Sequence, residues 1–468
     1  YRIGLDVHPP MYYVFLRVWS YIFGHSLFSL RGMSVLFGVG TVIATYYLVN
    51  YAFKERRAAL LAALLVAVNP FHVQYVTEAR MYTMGAFFAI VAALALLAAL
   101  RTQYAYFQAD KNPVLKAQLK KKSAIYYLLF VLSGSILMYT HYYLLFSVAA
   151  LGLFGILWCA VNYRLQIKKY LWLVLSGIGL IVLYLPWLKV FLFQFNQVGA
   201  GYWIPPMDRW SIPNTLWELL IRLPRDGNFV MLIVTALTVW IIISIIRKYK
   251  GVDKWLPLMS FLAPFAGALL FWLIAYVQGH SNSVYLVRYF IFASAFYSIL
   301  VAMWLSKFKI PQIATAFVVI LVALNVYSIW NYWDDLELHK KPGMNAAAKF
   351  LSANVEPDHK LYIGSSFEFF NYKYYHRAAS TPLLYSGGGL TKDMPHFAGT
   401  AILTDEDLVL NFEQATKPGD VVWLLWTNGF GGSKPNIPKN WVQVDEKGFE
   451  EIRPYVGTWI IVNQYRVN

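Results

Sequence analysis

The sequence predicts an α-helical polytopic membrane protein that ends in a small extracytoplasmic α/β domain. Three observations carry that prediction. Of 468 residues, 59% are hydrophobic and 14% charged, against about 25% charged in an ordinary soluble domain, and the mean hydropathy is +0.48. Apolar runs of about 17–25 residues, long enough to cross hydrocarbon as helices, recur up to Trp333 and stop there. The charge divides at the same place: 27 basic and 8 acidic residues lie up to Trp333, a balance of +19, and 13 basic and 16 acidic lie beyond it, a balance of −3. A soluble enzyme, a disordered chain and a collagen-like repeat are excluded, and the segments 1–333 and 334–468 are expected to fold in different solvents.

Ten spans are read, near 28–52, 58–74, 80–100, 124–140, 143–163, 169–192, 229–247, 256–277, 288–306 and 310–331. Alternate connections are basic. They hold Lys54, Arg56 and Arg57; Arg101 with the lysines at 111, 116 and 120–122; Arg164, Lys168 and Lys169; Arg247, Lys248, Lys250 and Lys254; and Lys307 with Lys309. These are 18 of the 27 basic residues, and the positive-inside rule makes them cytoplasmic. The excess charge is therefore a topology signal, and nucleic acid is not an expected partner. The connections at 1–27, 68–80, 196–228 and 278–288, the turn at His141 and the whole tail fall outside. Within 1–27, two prolines precede a short aromatic stretch, Met11 to Phe23, which suits a helix lying in the outer interface. The abundance of Tyr (34), Phe (32) and Trp (17) fits interfacial belts at the span ends.

In the tail, helices are expected over 344–351 and 367–375 and strands over 360–363, 421–425, 441–444 and 458–462, giving a small α/β domain. The single cysteine, Cys159, lies in an apolar run, so no intrachain disulfide staples the tail. The chain opens at Tyr1 without Met or a signal-like leader, and residues upstream are expected.

All eight acids of the segment that ends at Trp333 fall outside the spans: Asp6, Glu55, Glu78, Asp110, Asp208, Glu218, Asp226 and Asp253. With no acid at mid-membrane, a proton relay of the kind pumps use is not expected. Two outer clusters stand out. Asp6-Val7-His8-Pro9-Pro10 places a carboxylate and an imidazole two residues apart on a stiff backbone; its plainer reading is the start of an interfacial helix. Glu78-Ala79-Arg80-Met81-Tyr82, preceded by Asn69-Pro70-Phe71-His72, sets a carboxylate and a guanidinium at the membrane surface. There Arg suits phosphate, and the carboxylate suits an acceptor proton or a metal; the plainer reading is an exposed ion pair worth about 0–1 kcal/mol. Tyr82 reads by position as a belt residue. Arg288 at the head of the ninth span is a second phosphate candidate or a snorkelling anchor, and His141 an acid/base group, a metal ligand or an interfacial histidine. The glycine runs 387–389 and 428–432 read as turns.

These residues carry a resemblance. Asp6 to Pro10 with Tyr12-Tyr13, the Phe23-Gly24-His25-Ser26 turn with Leu30-Arg31, Asn69 to His72 and Glu78 to Tyr82 resemble the GT-C membrane glycosyltransferases. More narrowly, they resemble the bacterial family 39 proteins related to protein O-mannosyltransferases and lipid A aminoarabinose transferases. The resemblance covers the first 150 residues well, the Arg288-Tyr289 region weakly and the tail in general shape. It implies transfer of a hexose or pentose from a polyprenyl-phosphate donor, with inversion, to a protein, lipid or glycan acceptor on the outer face of a plasma or inner membrane. It also implies Asp6 and Glu78 as catalytic acids and His8, Arg80, Tyr82, His141 and Arg288 as substrate-binding residues. In the family an Asp-Glu pair after a first span supplies the main acid. This sequence starts inside that loop, so the pair and the span are expected upstream. Members of the family differ in metal dependence, and Glu78, His8 and His141 allow a divalent metal ion without demanding one. The Tyr202-Trp203-Ile204-Pro205-Pro206 loop is a candidate holder of the isoprenoid. A lipid-linked sugar carrier that makes no glycosidic bond and an assembly protein whose tail docks partners are the competing readings, and an upstream Asp-Glu pair would favour the transferase over both.

Overall fold

The computed structural model describes residues 7–109, 111–164, 166–199, 204, 206–223, 228–277, 284–335, 342–395, 398–429, 431–451 and 457–468. Two compact units emerge, His8–Ile329 and one that holds Trp330–Asn468.

The larger unit is helical. Its first helices are α1 (Met11–Phe23), α2 (Leu27–Phe53), α3 (Arg56–Ala67), α4 (Pro70–Val76), α5 (Tyr82–Gln108) and α6 (Pro113–Met138). They are followed by α7 (Tyr143–Tyr163), α8 (Leu171–Gly199), α9 (Ser211–Leu220), α10 (Phe229–Lys248), α11 (Trp255–Val277), α12 (Ile291–Ser306) and α13 (Pro311–Asp335). Among the described residues nine helices are long and apolar enough to cross a membrane. The expected span near 58–74 is a bent pair, α3 and α4 meeting at 57°, which brings the number to ten if the pair crosses as one broken span. The cause is local. Pro70 has no N–H to continue α3 and holds Asn69 in extended backbone, and Asn69 Oδ1 then caps α4 by accepting from the His72 N–H at 2.9 Å. Asn112 and Pro113 start α6 by the same device.

α1 occupies the residues expected of an interfacial helix and is two-faced: Tyr12 and Ser20 are buried, whereas Val14, Val18, Tyr21 and Ile22 are exposed. The centre of the bundle is α12, whose side chains from Ile291 to Leu305 are all buried, packed on α3, α5, α10 and α11. Close approach of α5 rests on small residues, among them Ala89, Ala92, Ala93 and Ala99. The sole cysteine, Cys159, is enclosed on α7.

Two acids that lie in the basic connections act as latches at that end of the bundle. Asp253 accepts from Arg101 at 2.5 Å and from the Trp158 indole at 3.0 Å. Glu55 pairs with Lys307 and accepts from Ser306 at 3.1 Å. At the other end, α4 is seated on α2 through Gly38: a Cβ there would lie 2.2 Å from Val76 Cγ1. Gly38→Ala is therefore expected to lower the melting temperature of the detergent-solubilised protein through overpacking of about 1–3 kcal/mol. Gly152→Ala, whose added methyl meets nothing within 4 Å, is the thermal-unfolding control and should leave it unchanged.

The smaller unit contains α14 (Gly343–Asn354), β1 (Lys360–Ile363), α15 (Ser366–Tyr375), β2 (Pro382–Tyr385), β3 (Leu408–Val409), α16 (Phe412–Ala415), β4 (Val421–Thr427), β5 (Trp441–Glu450) and β6 (Trp459–Val467). One six-stranded sheet runs β3-β2-β1-β4-β6-β5. The first four strands are mutually parallel, and β6 pairs antiparallel with both β4 and β5. The expected α/β character holds, with β2 and β3 added. One face packs on α14 and α15, and the other carries Phe412, Trp441 and Tyr465. β5 extends past the expected 444 because, as an edge strand with most side chains exposed, it needs no apolar alternation to stay paired.

Candidate active site

The residues singled out in the sequence meet at the end of the larger unit opposite the basic connections. The turn between α4 and α5 carries half-buried Glu78 and exposed Arg80, with the Arg80 N–H donating to the Glu78 carbonyl at 2.8 Å. Half-buried His8 precedes α1. The Met11 N–H donates to the Tyr139 carbonyl at 2.8 Å, which brings α1 against the α6–α7 turn, and the rings of His8 and His141 meet edge to face with centroids 5.9 Å apart. Tyr82 is not a surface belt residue: it is 1% exposed. Asp6, Tyr202 and Trp203 lie outside the described residues.

An aromatic row forms the floor. Ring centroids step from Phe71 to Tyr75 (5.0 Å), Tyr75 to Tyr82 (4.9 Å), Tyr82 to His141 (6.5 Å) and His141 to Tyr289 (4.7 Å). A guanidinium stands at each end, Arg222 over Phe71 at 5.4 Å and Arg288 over Tyr289 at 5.9 Å, within cation–π range.

Glu78 is the electrostatic focus. Burial holds its carboxyl above the ordinary glutamate range, outweighing the opposing pull of Arg80, Arg288, Arg222 and Arg31, in that order. His141 is 5% exposed and held well below the ordinary histidine range, first by burial and then by His8, Arg288 and Arg80. It is a neutral ring. Its Nδ1 accepts from the Tyr143 N–H at 3.2 Å, so the proton sits on Nε2, which makes the ring a hydrogen-bond donor rather than an Nε2 metal ligand.

Among the described residues, the His/carboxylate group with ligand spacing is Glu356, Asp358 and His359 in the smaller unit. There His359 Nδ1 accepts from the Glu356 N–H and the Trp423 indole, both at 3.1 Å. That fixes the proton on Nε2 and suits the ring poorly to an ion.

Sequence reasoning did not assign Arg31 or Arg222. Arg222 follows α9, a helix not read in the 196–228 connection although Ile212, Leu216, Leu219 and Leu220 recur at helical spacing. Glu218 and Arg222, four apart, were the remaining sign.

The Asn69-Pro70-Phe71-His72 motif now has a physical account: it brackets the site. Asn69 Nδ2 donates to the Leu219 carbonyl of α9 at 2.7 Å, His72 Nε2 lies 3.3 Å from the Gly38 carbonyl of α2, and Phe71 supports Arg222.

A family model described as dolichyl-phosphate-mannose-protein mannosyltransferase matches residues 7–109. Among solved structures, the chain is similar to ArnT from Cupriavidus metallidurans in the apo state, with a TM-score of 0.56 at 10% identity, covering 97% of this chain and 87% of that one. It is equally similar to the same protein bound to undecaprenyl phosphate, with a TM-score of 0.56 at 10% identity, covering 98% and 88%. No curated protein matches in sequence. The fold is thus the GT-C fold of a multi-pass membrane protein, the one the sequence motifs resemble.

Proposed function

We propose that the protein transfers a sugar from a polyprenyl-phosphate donor to an acceptor at the outer face of the membrane, with inversion at the anomeric carbon. The observation that carries this reading is the half-buried Glu78 carboxylate under the charge of Arg80, Arg288, Arg222 and Arg31, on the same aromatic row as the neutral His141 ring. The matched family description and the undecaprenyl phosphate bound by ArnT support the donor class. The basic connections at the opposite end support an outward site by the positive-inside rule, and 1–333 and 334–468 serve as transferase and outer α/β domains.

In this reading Arg80 and Arg288 hold the donor phosphate, while His8, Tyr82 and the Nε2–H of His141 line the sugar. The acceptor oxygen attacks the anomeric carbon, the carbon–phosphate-oxygen bond breaks, and the lipid phosphate leaves with the electron pair and one more negative charge. The guanidiniums stabilise that charge where it develops. Glu78, with Asp6 as its companion acid, takes the acceptor proton, and a carboxylate raised toward the working pH is the better base. A divalent ion, if bound, would add positive charge beside the leaving phosphate.

The test uses the full-length protein in nanodiscs with a panel of polyprenyl-phosphate hexoses and pentoses, followed by mass spectrometry with protein, lipid and glycan acceptors present. One donor should lose its sugar only with intact protein. Binding of every donor without consumption, with divalent metal supplied, would sink the transferase reading in favour of a carrier.

A further inference from the structure

A polar cavity lies inside the helical unit where α3, α9, α12 and α13 meet the Asn69 cap of α4. Every residue that lines it is buried, with at most 7% exposed. Its volume is about 10 Å³, the room that one water molecule needs.

The lining is richer in acceptors than in donors. Asn325 belongs to the candidate span Pro311–Asp334, is 2% exposed, and its Oδ1 has no hydrogen-bond partner among the described residues. A bare carboxamide oxygen is costly there, because hydrocarbon supplies no donor. Ser298 on α12 donates its hydrogen to the Ser294 carbonyl at 3.2 Å, which leaves lone pairs on Oγ as acceptors. Asn69 already has both ends of its amide engaged, Nδ2 with the Leu219 carbonyl at 2.7 Å and Oδ1 with the His72 N–H at 2.9 Å.

Two helix ends add main-chain carbonyls. At the end of α3, the Asn69 N–H turns from its helical acceptor, the Leu65 carbonyl, to the Val66 carbonyl at 3.3 Å. At the end of α9, the N–H groups of Ile221 and Arg222 both donate to the Trp217 carbonyl, at 3.0 and 3.2 Å, and Leu220 is among the last residues whose carbonyls a helix leaves open. Leu65 and Leu220 both line the cavity. No lining residue is acidic or basic, so a bound cation would stand without counter-charge. A water molecule supplies two O–H donors and stays neutral.

We infer that this cavity is a binding site for one water molecule, held by Asn325 Oδ1, Ser298 Oγ and the carbonyls at the ends of α3 and α9, and that the water ties α13 to those two helix ends. Asn325 and Ser328 are three apart, on one face of α13. The Ser328 hydroxyl donates to the Arg222 carbonyl at 2.8 Å, and Arg222 holds left-handed backbone, φ 55°, which a non-glycine residue keeps only where its surroundings enforce it. One polar stripe of α13 therefore does two things. Ser328 fixes the residue whose guanidinium acts on Glu78, and Asn325, through the water, fixes the helix ends behind it. The site does not depend on the transferase reading, because none of its ligands is assigned to donor or acceptor.

The experiment compares the full chain as wild type, Asn325→Leu, Ser298→Ala and the double variant. It uses thermal unfolding in detergent and an electron cryomicroscopy map, in nanodiscs, that resolves ordered water. Wild type should show one density peak within hydrogen-bond distance of Asn325 Oδ1, lost in Asn325→Leu. Unfolding gives an independent sign. Leucine has the branched shape of asparagine and the extra bulk to fill the cavity, so it would raise the melting temperature if Oδ1 were bare. With water bound, the same change expels the donor shared with Ser298 and the carbonyls and should lower it. Ser298→Ala removes one ligand of the water and should lower it less, and the double variant should lose less than the sum of the two, since both act on one water. A wild-type map that resolves the lining side chains without a peak, or with lipid density in its place, overturns the water site. A raised melting temperature in Asn325→Leu overturns it too, and if that variant does not fold, the wild-type map and Ser298→Ala still decide.

Discussion

Glu78→Gln should reduce sugar transfer by about two to four orders of magnitude, the range that a lost general base commands, while the protein still binds lipid phosphate. Gln keeps the size of the side chain, but it cannot accept the acceptor proton. The loss should therefore fall on kcat more than on donor KM. The pH profile adds a second signature. Burial raises the Glu78 carboxyl above the ordinary glutamate range, and in the proposed mechanism its ionised form is the base. Wild-type activity should accordingly fall as pH drops through that raised value, at a higher pH than an unburied glutamate would give. Initial rates across a pH series for wild type and the variant check both points, and a profile whose acid limb is identical in Glu78→Gln would remove Glu78 from the proton transfer.

Arg80→Ala should cost about two to three orders of magnitude, the typical effect of removing one group that stabilises charge in the transition state. It should weaken donor binding as well, because in the proposed mechanism the same guanidinium contacts the phosphate before and after the bond breaks. Lysine is an incomplete replacement. A point charge lacks the planar fork that pairs two phosphate oxygens, so Arg80→Lys should recover part of the binding and less of the rate. There is also a coupled effect whose sign follows from the geometry. Arg80 is the strongest of the four cations that lower the Glu78 pKa, so its removal raises that pKa further and should move the acid limb of the residual activity to higher pH. Residual rates of Arg80→Ala and Arg80→Lys measured at saturating and limiting donor, over the same pH series, separate these effects.

Both variants depend on residues that the sequence exposed unevenly. Glu78, Arg80, His141 and Arg288 were legible because each is a polar residue at the end of a long apolar run, where a side chain has few roles to play. Arg222 was not, since its place over Phe71 is a tertiary fact, and the helix that presents it lies in a connection with no apolar run to mark it. The break at Asn69-Pro70 was on view as a motif, but the apolar run continued across it, and hydropathy is blind to a missing N–H. In the tail, β1 was read at its full extent because both its faces are buried, whereas β2 begins at a proline and β3 has two residues, too short for a period to register. Each miss is a case where a backbone property or a distant partner, rather than local polarity, decides the structure.

Cys159, at 0% exposure on α7, has a practical consequence. A thiol shut off from water is silent toward polar alkylating reagents, and it is the sole sulfhydryl in the sequence. These 468 residues are therefore already a blank background for chemical labelling. A cysteine installed at exposed Lys54, in a basic connection, or at exposed Asp208, ahead of α9, would be the single reporter on its side of the bilayer. The sidedness of the site becomes readable one position at a time without first removing a thiol of the protein's own.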